Sequence, residues 1–208
     1  MSMRTILSRF AVLGALGLAL TLVAVACDDD EGGDGTATAT TEPQATDQAP
    51  APTATDAAAS GELSLTSSAF ADNEAIPVKY TCDGDNVSPP LAIGGVPEGA
   101  ATLALIVDDP DAPSGSFVHW TVYNIDPTTE KVAEGLAPGD GTEGLNGTGQ
   151  PGYTGPCPPS GTHRYIFTLY ALDVGLNLDA AASGKEELEA AMAGHIVAQT
   201  ELTGTYAR

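Results

Sequence analysis

The chain has 208 residues, 28 Asp and Glu against 7 Lys and Arg, and a formal net charge of −21 with histidines neutral. That balance excludes a general nucleic-acid binder, because phosphate surfaces are met by clustered Lys and Arg. Ten of the eleven aromatic residues lie at or beyond Phe70; the first 60 residues therefore cannot build a core, and residues 61–208 are of a size for one domain.

Arg4 and Arg9 precede an uncharged run from Phe10 to Ala26 that ends in Leu22-Val23-Ala24-Val25-Ala26-Cys27. As a helix this run would reach only ~26 Å against a ~30 Å hydrocarbon core, which fits a cleaved export signal over residues 1–26 better than a permanent span. The small residues before Cys27 resemble a bacterial lipobox, in which the cysteine is diacylated and becomes the mature N-terminus. An uncleaved helical anchor is the alternative, and either form holds an exported domain at the membrane.

Residues 27–60 come next, as a lipidated cysteine and an acidic Ala/Thr/Pro-rich linker. From Asp28 onward they hold no aromatic or large aliphatic side chain, so they cannot bury enough apolar area to offset ordering entropy. The expectation is a solvated tether of ~30 Å mean reach. Loss of residues 1–26 would leave five basic residues against 28 acids, net −23, and the tether should stand off from an anionic bilayer.

With Cys27 assigned to lipid, Cys82 and Cys157 remain as a pair in a compartment where disulfides persist, and a Cys82–Cys157 bridge is expected. An exposed Cys157 nucleophile would oxidise there.

Residues 61–208 read as mostly β. Short β-branched or aromatic runs, 62–67, 76–81, 102–108, 116–125, 163–173 and 201–207, are separated by Gly/Pro/Asn/Asp clusters. The Gly/Pro-dense connection over 137–161 is too long for an idle turn and is a candidate binding loop. Ser183 with Glu186 forms a capping-box pattern, and Leu188, Ala191, Met192, His195 and Ile196 then predict one helix to about Gln199, with His195 packed on its apolar face. The fold class is an antiparallel β-sandwich with a short C-terminal helix.

Alternation places Leu103, Leu105, Val107 and Asp109 on one face, Phe117, His119, Thr121 and Tyr123 on another, and His163, Tyr165, Phe167 and Leu169 on a third. Asp109, His119, His163 and Tyr165 could then satisfy one another around one cavity. Separate histidines, each bonded at a sheet edge, fit the alternation as well.

Three strings, Asp109-Pro110-Asp111-Ala112-Pro113, Phe117-Val118-His119-Trp120 and Gly161-Thr162-His163-Arg164-Tyr165, resemble the signature blocks of the phosphatidylethanolamine-binding protein family. Tyr80-Thr81-Cys82-Asp83-Gly84, Ser88-Pro89-Pro90-Leu91 and the run from Gly152 to Pro159 are similar to its bacterial, Raf-kinase-inhibitor-like branch. The resemblance spans about Glu62 to Arg208. It implies an antiparallel β-sandwich with a small ligand pocket at one end, lined by Asp109, His119, His163, Tyr165 and the loop residues Gly155, Pro156 and Cys157, with Pro113 in the wall.

Two imidazoles, a phenol and turn amides suit a phosphate or carboxylate oxygen, so the expected ligand is a phosphate-bearing or zwitterionic group such as a phosphoethanolamine head group. Asp109 is better placed to orient a histidine or meet an ammonium. The resemblance also implies inhibition of a protein partner, for an exported domain an extracytoplasmic protease.

Catalysis is not expected: Ser116 and Ser160 lack a nucleophile-elbow context. The histidines lack zinc-ligand spacing, and Asp83, Asp85 and Asn86 lack the later Glu of a calcium loop, so no metal or cofactor is expected. Asp111 is read as shaping its turn, and Arg164, pointing opposite to His163, as a structural ion-pair partner.

Overall fold

The computed structural model describes residues 61–208. The export signal, Cys27 and the linker lie outside the described residues, among which no helix is long and apolar enough to cross a membrane.

Among the described residues, nine strands and one α-helix run in the order β1 (Ser64–Thr66), β2 (Glu74–Ala75), β3 (Leu91–Gly94), β4 (Thr102–Asp109), β5 (Phe117–Ile125), β6 (Lys131–Val132), β7 (Thr142–Glu143), β8 (Thr162–Leu172), α1 (Lys185–Met192) and β9 (Ile196–Ala207). They form a three-stranded sheet, β1-β3-β6, and a six-stranded sheet, β2-β9-β8-β4-β5-β7. Pairing is antiparallel apart from the two-residue match of β2 with β9.

The core between the sheets follows from alternation. Leu65, Leu91, Ile93 and Val132 of the small sheet meet Leu103, Leu105, Val107, Phe167, Leu169 and Leu202 of the large one. The opposite face of the large sheet is apolar too: Ala104, Ile106, Tyr123 and Leu172 are covered by Leu176 and by Leu188 and Met192 of α1. β4 is therefore hydrophobic on both faces, which explains its unbroken Leu-Ala-Leu-Ile-Val run.

Four sequence expectations are overturned. The run 76–81 is not a strand, because Pro77 starts a 3₁₀ turn over Val78–Tyr80 in which the Tyr80 amide donates to the Pro77 carbonyl. The helix begins one residue later than expected, with Gly184 as N-cap and its amide donating to Glu187. Ser183 is instead buried, its carbonyl accepting the Leu145 amide.

The helix also ends early. Gly194 turns the chain at φ +83°, a conformation glycine adopts without strain. The β-branched Ile196 and Val197 then open β9. His195 accordingly is not packed on a helix face; it is exposed, with Nδ1 2.8 Å from Asp173 Oδ1.

Candidate functional site

Asp109, His119, His163 and Tyr165 converge at one end of the large sheet, where β4 finishes and β8 begins. Val107 pairs with Phe167 and Asp108 with Ile166, so Asp109 continues the inward row toward Tyr165 and, diagonally, His163. His163 Nδ1 lies 2.7 Å from Asp109 Oδ2, while Asp109 Oδ1 accepts the Asp111 amide at 2.8 Å. Both carboxylate oxygens are thus engaged, and Asp109 orients His163.

His119 reaches the cluster by a break in alternation. Val107 pairs with Trp120 and Asp108 with Val118, leaving His119 as the extra residue of a β-bulge. Phe117, His119, Trp120 and Val122 consequently face the inter-sheet core, while Thr121 pairs with Ile106 on the opposite face and Tyr123 packs there with Ala104. The expected face of Phe117, His119, Thr121 and Tyr123 is therefore split by the bulge.

The His119 ring stands edge-on to Tyr165 at 5.0 Å and to Phe117 at 4.9 Å between centroids. Its Nδ1 lies 2.6 Å from the Thr154 carbonyl. Burial lowers the pKa of His119 below the usual histidine value, against the opposing pull of the Thr154 carbonyl and Asp109.

All four residues are buried: Asp109 and His119 are 4% exposed, His163 7% and Tyr165 1%. The Tyr165 hydroxyl has no hydrogen-bond partner, the only fully buried side-chain polar atom so placed among the described residues. Burial pushes its pKa upward, aided by Asp109; the Cys157 amide is near enough to favour the phenolate without completing a bond. Neither histidine Nε2 has a partner, and neither is sealed from solvent.

The candidate loop covers this end. Tyr153 donates its hydroxyl to the Tyr80 carbonyl and sets its ring edge-on against Trp120, whose indole N–H donates to Glu143. The Gly155 amide donates to Asn86 Oδ1, and a Cβ on Gly155 would lie 2.7 Å from that oxygen and from the Tyr80 carbonyl. A disulfide joins Cys82 to Cys157, and the Cys82 amide donates to the Pro156 carbonyl.

Some expected contributions change. The Gly155 amide is already used, and Pro156 has no N–H, so of these loop residues the Cys157 amide is the donor left near Tyr165. Pro113 stands exposed in the turn between β4 and β5. Arg164 does form an ion pair, and its partner is Asp111, held by three hydrogen bonds that lower the Asp111 pKa to about 2. Asp111 is therefore more than a turn former.

The cluster itself is buried and lies beneath the loop that carries Thr154. Two open concavities lie elsewhere. One of about 410 Å³ borders Asn124, Asp126 and Asp140, and one of about 290 Å³ borders Val118, Asn146 and Lys185. Among the described residues no group of His, Cys, Asp and Glu is arranged to hold a metal ion.

Thr154 and Asn86 also belong to the site, and sequence reasoning does not find them, whereas Phe117, read on the His119 face, does stand against that ring. Thr154 acts through its carbonyl and Asn86 through a contact 69 residues away in sequence, neither of which residue type or spacing announces.

The family model described as phosphatidylethanolamine-binding protein matches residues 66–207. A UPF0098 protein of Methanothermobacter thermautotrophicus is 49% identical over 151 residues, covering 70% of this chain and 99% of that protein. A Mycobacterium tuberculosis protein named as a lipoprotein, LppC, is 46% identical over 73% of this chain and 76% of its own length. Among solved structures, the phosphatidylethanolamine-binding protein homologue CT736 of Chlamydia trachomatis aligns with TM-score 0.69 and 46% identity, over 72% of this chain and 99% of that one. Escherichia coli YbcL aligns with TM-score 0.66 and 30% identity, over 71% and 99%. With the sandwich, the end-on cluster and these matches in agreement, the chain belongs to the phosphatidylethanolamine-binding protein family, in its bacterial and archaeal branch.

Proposed function

We propose that the domain is an exported binding protein, not an enzyme, whose ligand is a small oxyanion such as the phosphate of a phosphoethanolamine-like head group. The observation that carries this reading is the buried Tyr165 hydroxyl, left without a partner beside the two unpartnered Nε2 atoms of His119 and His163. An unsatisfied buried hydroxyl costs about 1–3 kcal/mol, a cost that a bound oxygen would remove. The Cys157 amide would add a neutral donor.

Asp109 keeps both oxygens engaged and serves to orient His163. The net charge of −15 on residues 61–208 is screened over ~8 Å at physiological salt, so it disfavours highly charged ligands more than a monoanion or zwitterion.

We further propose that Cys27 is lipidated and holds the domain at the membrane through the linker. The lipobox-like sequence and the relative named as a lipoprotein support this. Metabolic labelling with a fatty acid should mark the chain and fail on Cys27→Ala.

For the site, NMR shift mapping with inorganic phosphate and with phosphoethanolamine should perturb His119, His163 and Tyr165. Silence of all three at millimolar ligand overturns the reading.

A further inference from the structure

We propose that this site binds a fully ionised oxyanion only together with a proton taken up at His119 Nε2, and so selects oxyanions that bring a proton of their own. The inference rests on the oxyanion reading above.

A backbone carbonyl can only accept, so the 2.6 Å contact of His119 Nδ1 with the Thr154 oxygen requires a hydrogen on Nδ1. In the neutral ring Nε2 then carries a lone pair and can only accept. At His163 the same logic applies, because Nδ1 faces the Asp109 carboxylate and Nε2 is the unpartnered nitrogen.

The nearby lysine and arginines are already paired with carboxylates, Arg208 beside Cys157 with Asp83. From β4, Asp109 and Asp108 bear on His119; from β8, Tyr165 stands beside it, while His163 is bonded to Asp109; from the covering loop comes the Thr154 carbonyl; on its own strand stands the Phe117 ring. Arg164, the nearest guanidinium on β8, is committed to Asp111, and Lys185 to Asp108. Burial keeps the ligand-free His119 neutral near pH 7.

A ligand oxygen lying against a neutral Nε2 would set lone pair against lone pair. Two routes remove the conflict. Solvent can supply a proton to Nε2, which then donates to the oxyanion, or the ligand's own P–OH can donate to Nε2. Sulfate carries no proton near neutrality and has only the first route. A phosphate monoester, with a second pKa of about 6, has both in reach.

Calorimetric titration of the purified full chain with sulfate and with inorganic phosphate, from about pH 5.5 to about 8.5 in paired buffers of different ionisation heat, tests this. Sulfate binding should take up about one proton at neutral pH and weaken about tenfold per pH unit above the His119 pKa. Phosphate should hold its affinity to higher pH, until its own second ionisation is complete. His119→Gln, whose amide donates without titrating, should flatten the sulfate profile.

Parallel sulfate and phosphate profiles without proton uptake overturn the inference and leave the oxyanion site standing. Absence of binding by either ion across the whole range overturns the oxyanion reading itself. A nitrogen-15 spectrum of the unsubstituted protein gives an independent check: His119 should be the Nδ1–H tautomer, and the Nε2–H form overturns the inference whether or not the variant folds.

Discussion

His119 and Trp120 are consecutive residues that face the same side of β5, because a bulge sets both against Val107 of β4. One is a buried polar group with an unpartnered nitrogen, the other a fully buried indole bonded to Glu143. The bulge thus places a site residue and a core residue side by side.

Truncation should separate the two roles. Trp120→Ala removes one of the largest sealed side chains and should cost about 3–5 kcal/mol of unfolding free energy. His119→Ala, at the sheet end, should cost less and should abolish the phosphate response at His163 and Tyr165. Urea unfolding together with NMR titration reads both, and equal destabilisation with ligand binding retained in His119→Ala would contradict the division.

The bulge also shows where sequence reading stops. The strands 102–109 and 162–172 were legible because eight and eleven residues of alternation leave a strong period-two signal. An extra residue inside β5 leaves no compositional mark, so strict alternation assigned Thr121 and Tyr123 to the wrong face. β3, β6 and β7, of two to four residues, are too short to show a period. The helix was overextended because Leu188 to Ile196 satisfies helical spacing, although Gly194 and the β-branched pair after it favour a turn into β9. Asp109, His119, His163 and Tyr165 were readable as side chains on matching rows, whereas the Thr154 carbonyl, which sets the His119 tautomer, is a backbone contribution.

Tyr165→Phe should trade function against stability. The hydroxyl is buried without a partner, so its removal should leave the protein as stable as before or more stable by up to about 1 kcal/mol. The same change removes a proposed donor to the ligand and should weaken phosphate binding by about tenfold or more. A clear loss of stability would show that the hydroxyl is satisfied in solution.

The Cys82–Cys157 bridge spans 75 residues and pins the covering loop to the turn after the 3₁₀ segment. Chain-entropy arguments assign a closed loop of that size about 4 kcal/mol. Thermal unfolding with and without a dithiol should show a large drop on reduction, matched by Cys82→Ser with Cys157→Ser. Thiol titration of residues 61–208 should give free thiol only after reduction, and two free thiols before it would exclude the bridge.

Stability should also fall in mild acid because of His119. Its folded-state pKa is depressed by burial, while the unfolded chain titrates near 6.5. Above that value both states are neutral and the group has no effect on stability. As pH falls below about 6.5 the unfolded chain binds a proton that the folded protein resists, so unfolding free energy declines until the folded value is passed. Urea midpoints between about pH 7.5 and 5 should decrease less steeply in His119→Gln than in the unsubstituted protein. Identical slopes would mean that protonation of His119 is no harder in the folded protein than in the unfolded chain.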